Sequence, residues 1–146
     1  MLNVQQYLNS GKTFADLTND FGIKTTFHPY DPLVILNYDQ IESPKTDKIV
    51  RECRGLTLNT NDFSIVGRSF PRFFNWGEVV EEMKLFDFND FHIQTKEDGS
   101  LVILYHYNGT WRINTRGSFA QDTMPFQTFT WEKAILEGLG YTSLKN

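Results

Sequence analysis

The chain has 146 residues, 40% hydrophobic and 22% charged, with 13 phenylalanines; this supplies a sizeable core and excludes the apolar-poor, charge-rich class that stays disordered. Its 18 acidic and 14 basic side chains leave a formal net charge of −4, so no molecule-wide positive field exists to hold a polyphosphate, and any nucleic-acid contact has to be local. A single cysteine, Cys53, excludes an internal disulfide and a multi-thiolate metal site, and no apolar run reaches membrane-spanning length; one cytoplasmic domain over residues 1–146, with no membrane partner, is the expectation.

In chain order, Leu2, Tyr7 and Leu8 lie near one face of a first short helix ended by Gly11. Thr13 caps a second, in which Phe14, Leu17 and Phe21 recur at helical spacing before Gly22. Pro29 and Pro32 precede the β-favouring run from Leu33 to Tyr38, a predicted strand, and the polar ESPKTDK reads as a loop. RGLTLNT and FSIVGRS flank the turn-prone NTND and predict a hairpin, with Arg54 and Gly55 at its start. Val79, Val80 and Met83 in GEVVEEMKLF predict a short amphipathic helix. HIQT, LVILYHY and WRINTR, separated by EDGS and NGT, predict a three-stranded antiparallel meander. Thr130 is a cap for a last helix carrying Trp131, Ala134, Ile135 and Leu139 on one face, and YTSLKN begins like a further strand. The class is α+β, mainly antiparallel sheet with short flanking helices and no internal repeat.

KEDGS, at 96–100, places Lys96 at the junction of two expected strands. Alone, the pentapeptide reads as an Asp-Gly turn with a solvated lysine at its shoulder. Chemistry demands more: an amine is nucleophilic only when unprotonated, so a site must lower its pKa from about 10.4 by burial or nearby cations. Arg54 opens one hairpin, Arg72 precedes Phe73 and Phe74, and Arg116 lies near the end of the last meander strand. If these strand ends converge, three guanidinium groups surround one amine and present forked donors to phosphate oxygens. Taken singly, each arginine reads as a surface residue and each phenylalanine as core.

Lys-x-Asp-Gly-Ser at 96–100, followed by Thr-Arg-Gly-Ser at 115–118, resembles the first two motifs of the covalent nucleotidyltransferases, the superfamily of ATP-dependent ligases and mRNA capping enzymes. RECRGL, RFFN and TKEDGSL, in that order, narrow the resemblance to the bacteriophage RNA ligases that repair cleaved tRNA anticodon loops. The resemblance implies nucleotidyltransferase-type antiparallel sheets, incomplete here, and ATP with Mg2+ or Mn2+ as cofactors. It implies that Lys96 forms a lysyl-AMP, that AMP passes to an RNA 5′-phosphate, and that a 3′-hydroxyl then seals the break. Arg54 matches the arginine that contacts the nucleotide, and Arg72 stands where the phage enzymes have lysine, keeping charge but changing the head group. Phe74 falls on the essential aromatic position, Gly99 permits the backbone of the motif, and Arg116 replaces a lysine that binds ribose or phosphate. Tyr38 edges the adenine pocket, with core packing as its competing reading. The family's aromatic-Glu-aromatic strand, a later metal-holding glutamate and a Lys-x-Lys strand have no counterpart in YTSLKN, and Glu97 and Asp98 are assigned to the turn, so metal ligands stay unassigned. The expectation is a truncated or split RNA ligase acting on tRNA-like RNA ends, completed by a C-terminal ligase segment. The alternative is a non-catalytic remnant that binds nucleotide or RNA ends through its arginines.

Overall fold

A computed structural model describes residues 1–144. Two helices, α1 (Asn3–Asn9) and α2 (Phe14–Phe21), open the chain where the apolar spacing predicts them. Thr13 and Asp16 form a reciprocal cap on α2: the Thr13 hydroxyl accepts from the Asp16 amide at 3.2 Å and the Asp16 carboxylate from the Thr13 amide at 2.8 Å. Gly22 closes the helix at φ 65°, a left-handed conformation that costs glycine little. The start of α1 is capped from far along the chain, because Glu52 accepts from the Asn3 and Val4 amides at 3.1 and 2.9 Å.

A helical turn, α3 (Lys48–Glu52), begins at the last residue of the expected ESPKTDK loop and runs into RECRG; its Ile49 and Val50 amides donate to the Asp47 carboxylate. Around it runs an antiparallel sheet in simple order, β1 (Ile23–Phe27), β2 (Leu33–Tyr38), β3 (Arg54–Asn59) and β4 (Ile65–Gly67). The β3–β4 hairpin is the predicted one, whereas β1 is an addition to the expected elements. Strand β2 is central and covered on both faces, which is why its sequence is a nearly continuous apolar run rather than an alternation. Val34 and Leu36 pack with Leu56 and Leu58 against Val4, Leu8, Leu17 and Val50 of the helices. Leu33 and Ile35 face the other way, onto Phe119. Each fully buried aliphatic side chain contributes about 1.5–3 kcal/mol, and this two-sided core fixes β2 as the scaffold on which the arginine-bearing segments rest.

A separate ribbon, β5 (Val102–Tyr107) and β6 (Thr110–Thr115), turns at Asn108 and Gly109, with φ 49° and 78°, as an Asn-Gly turn should. It docks on the first sheet where the Tyr105 ring lies over Gly67; a Cβ on that glycine would stand 3.2 Å from the ring. The meander thus has two strands, not three. HIQT and KEDGS form no strand and are exposed, and Gly99 at φ 146° does not close an Asp-Gly hairpin. Inside GEVVEEMKLF only α4 (Val80–Lys84) is helical, and α5 (Trp131–Leu139) starts at the Thr130 cap and ends at Gly140. Residues 141–144 form no strand, with bends at 142 and 143, and Lys145 and Asn146 of that stretch lie outside the described residues. The chain is α+β with antiparallel sheets. Among the described residues, no helix is long and apolar enough to cross a membrane.

Candidate active site

Backbone contacts at the end of β2 build the site. A register break between Leu36 and Asn37 sets Asn37 opposite Arg54, and the Tyr38 amide donates to the Cys53 carbonyl at 2.7 Å. The last turn of β2 and the start of β3 are therefore held side by side. Gly55, at φ 74°, brings in the third segment: a Cβ there would lie 3.0 Å from Arg116 Cα, so the close approach of the chain just after β6 depends on a residue without a side chain. The fourth segment is pinned when the Arg72 amide donates to the Arg51 carbonyl at 2.7 Å, placing RFFN against α3.

Four sequence-distant segments are thereby brought together, and two of their arginines meet the Tyr38 ring. The Arg72 guanidinium carbon lies 4.1 Å from the Tyr38 ring centre and that of Arg116 lies 5.5 Å from it. Arg54 stacks over Phe73 at 4.9 Å, and Phe74 receives both Arg51 at 5.5 Å and Arg72 at 5.7 Å. Tyr38, Arg54, Arg72, Phe74 and Arg116, five of the seven residues expected at a nucleotide site, are in one cluster. Tyr38 packs in the core, as its competing reading had it, and its ring also meets the Arg72 guanidinium.

The electrostatics of the cluster are one-sided. Arg72 is only 7% exposed, yet among the described residues none of the three arginines has a carboxylate within ion-pairing distance. One terminal nitrogen of Arg54 and one of Arg72 are buried without a hydrogen-bond partner. A buried, unpaired donor on a charged group costs about 1–3 kcal/mol or more, and contact with an aromatic face offsets it by about 0.5–2 kcal/mol. The remaining demand is for an anion.

Lys96 does not sit inside this cluster. Its side chain is 74% exposed, and its charged neighbour is the Asp98 carboxylate of its own motif at 3.8 Å. The arginines lie against Tyr38 and Phe73 rather than around the amine, contrary to the expectation, because residues 91–101 pair with no strand that would carry Lys96 inward. Gly99 has open space where a side chain would begin. Among the described residues, no group of three or more His, Cys, Asp or Glu side chains is placed to hold a metal ion.

Three members of the site escaped the sequence reading. Phe73, read as core, is 54% exposed and carries Arg54 on its face. Arg51, three residues before Arg54, stacks on Phe74 and pairs with Glu82 at 2.5 Å; the Arg-x-x-Arg spacing was the available signal. Asn37 holds a buried, unpartnered side-chain oxygen, which nothing in its local sequence announces.

The profile of a protein family described as RNA ligase matches residues 52–142, which takes in β3, the RFFN segment, KEDGS and the β5–β6 ribbon. A baculovirus protein, from Autographa californica nuclear polyhedrosis virus, that carries the name bifunctional polynucleotide kinase/RNA ligase is 35% identical over 147 residues. That alignment covers 95% of this chain and 21% of the viral protein, so the chain spans about a fifth of its relative's length. With more than half of its residues inside the family profile, the chain belongs to the RNA ligase family.

Proposed function

We propose that this chain provides the adenylylating portion of an ATP-dependent RNA ligase of the nucleotidyltransferase fold, acting on the ends of tRNA-like RNA. The observation that carries this reading is the set of unpaired, partly buried guanidinium groups at Arg54 and Arg72, beside Arg116, with aromatic rings on their faces. Such forks suit the triphosphate of a nucleotide, and Tyr38 and Phe74 suit the flank of its base. In the first step the Lys96 amine, having lost a proton to solvent, attacks the α-phosphorus of ATP. A P–N bond forms, the bond to the β-phosphate bridge breaks, and pyrophosphate leaves with its charge screened by arginines. An RNA 5′-phosphate oxygen next displaces lysine from the α-phosphorus, and a 3′-hydroxyl displaces AMP from the RNA phosphorus.

The described residues do not form a metal-ligand cluster, so no step is assigned to a protein-bound ion; Mg2+ or Mn2+ is proposed as the companion of the ATP phosphates. Further ligase polypeptide, of which the longer viral relative has ample length, is proposed to supply the opposite wall of the pocket. Adenylylation also requires residues 91–101 to fold over the arginines, and the open space around Gly99 leaves room for that movement.

The test is transfer of label from α-labelled ATP with divalent metal, to the chain alone and with the corresponding later segment of the viral relative added in trans. Labelled protein that disappears in Lys96→Ala supports the reading; no label under either condition removes it. The exposure of Lys96 favours one competitor, a non-catalytic module that binds nucleotide or RNA ends through the arginines. That module would show salt-sensitive binding unchanged by Lys96→Ala and no covalent AMP.

A further inference from the structure

Arg112 lies on β6, four residues before Arg116, which follows the end of the strand, so at about 3.3 Å per residue the two backbones are at most about 13 Å apart. Arg112 opens onto a second cavity, of about 200 Å³, which it lines together with His28, Tyr105, Trp111, Gln121 and Glu132. Five separate elements contribute: the β1–β2 connection, each of the two strands of the ribbon, the loop after Phe119 and the first turn of α5.

Several polar groups that line this cavity have no protein partner among the described residues. His28 Nδ1 accepts from the Tyr30 and Asp31 amides at 3.3 and 2.9 Å, so a neutral ring carries its proton on Nε2. The ring is further held by an edge-to-face contact with Phe119 at 4.8 Å. Arg112 spends one terminal nitrogen on Asp31, at 2.5 Å, and keeps its other donors. Tyr105 is only 5% exposed, and among the described residues its hydroxyl has no hydrogen-bond partner; the same is true of the Gln121 amide and the Glu132 carboxylate. Glu132 and Arg112 line one small space without forming an ion pair.

Charge decides what fits. Asp31 neutralises Arg112, and Glu132 adds a negative charge, so the cavity does not suit a phosphate. Its ligand must offer donors to a carboxylate and acceptors to arginine, histidine and tyrosine. Guanine does both, with N1–H and the 2-amino group on one edge and O6 and N7 on the next, and a volume of about 200 Å³ admits one base. Trp111, which lines the cavity and is 42% exposed, offers ring surface for stacking. We propose that this cavity binds an unpaired guanine of the RNA substrate, close along the strand to the end held at the arginine cluster. The assignment rests on the RNA ligase reading of that cluster.

Titration of the full chain with guanosine, which has no phosphate to engage the arginines, is expected to show saturable binding, with adenosine and cytidine at least about tenfold weaker, the discrimination of one good paired contact to a base edge. A second arm compares short single-stranded RNAs carrying one guanosine, inosine or adenosine at the same position, in the order of affinity guanosine, inosine, adenosine. Glu132→Gln, an exposed position on α5 where the fold is not at stake, is expected to remove the preference. Equal affinity for the three RNAs, or a preference unchanged by Glu132→Gln, overturns the proposal even if guanosine alone binds too weakly to measure. Adenylate transfer followed in the same samples separates the two readings. Normal labelling of Lys96 without base preference sinks the guanine site alone, and base preference without labelling sinks the ligase reading alone.

Discussion

Gly55→Ala tests the contact on which the site's geometry depends. The new methyl would meet Arg116 Cα at 3.0 Å and the Ile103 side chain at 3.0 Å, one backbone and one buried, so neither can yield freely. The residue also sits at φ 74°, where an L side chain adds about 1–2 kcal/mol of backbone strain. Overpacking adds about 1–3 kcal/mol, for a total of about 2–5 kcal/mol. Gly109→Ala is the matched control, because its φ of 78° is nearly the same while no atom lies within 4 Å of the new methyl; it should lose only the strain of about 1–2 kcal/mol. Urea unfolding of both variants measures the difference, and nucleotide binding by the Gly55 variant should weaken further because Arg116 is displaced from Tyr38. Equal destabilisation of the two variants, within about 0.5 kcal/mol, would refute the packing of β3 against the chain after β6.

Three further outcomes follow from the same geometry. Glu52→Ala removes the acceptor for two amides of α1 and for the Asn3 side chain, and should lower stability by about 1–2 kcal/mol, with early exchange of the Val4 amide detected by hydrogen exchange. Arg72→Lys keeps the charge but loses the planar contact with Tyr38 and Phe74, so nucleotide affinity measured by titration should fall about 2–30-fold, the range of one cation–π contact. Burial pushes the Tyr105 phenol up to about 12, opposed by Arg112. Its neutral form is favoured by folding, so this contribution is complete below the ordinary value of about 10 and is lost as pH rises towards about 12; Tyr105→Phe should flatten the fall in thermal stability across that interval.

The elements legible in the sequence are those whose local chemistry and packing agree. Thr13 with Gly22, and Thr130 with Gly140, are caps that act wherever the helix packs, and the apolar run of β2 has no stable place except between two layers. The missed β1 has one fully buried side chain, Ile23; its strand conformation comes from pairing with β2 rather than from its own pattern. Helix α3 is a single turn, too short to show periodicity, held by the adjacent Asp47 cap and by the tertiary reach of Glu52 to α1, whose partners are far away in sequence. HIQT was over-read for the opposite reason. Its one aliphatic residue, Ile93, stays exposed because no edge is presented for it to cover, and the turn signal EDGS then has only one strand to turn from.

That contrast bears on the chemistry. The arginine cluster assembles through backbone contacts and a glycine, which require nothing beyond the residues around it, whereas Lys96 depends on a segment that finds no partner in the same fold. Ordering such a segment costs about 1–2 kcal/mol per residue in backbone entropy, and in the proposed reaction bound nucleotide is the source of contacts to offset it. Anion capture and lysine chemistry are therefore separable. Nucleotide should bind to the arginines with an affinity lowered by whatever part of its contact energy goes into drawing Lys96 inward, and Lys96→Ala should leave that binding step in place while removing the covalent one. If Lys96→Ala abolished nucleotide binding itself, the lysine would already be part of the assembled pocket, and the division between a preformed arginine cradle and a recruited nucleophile would be wrong.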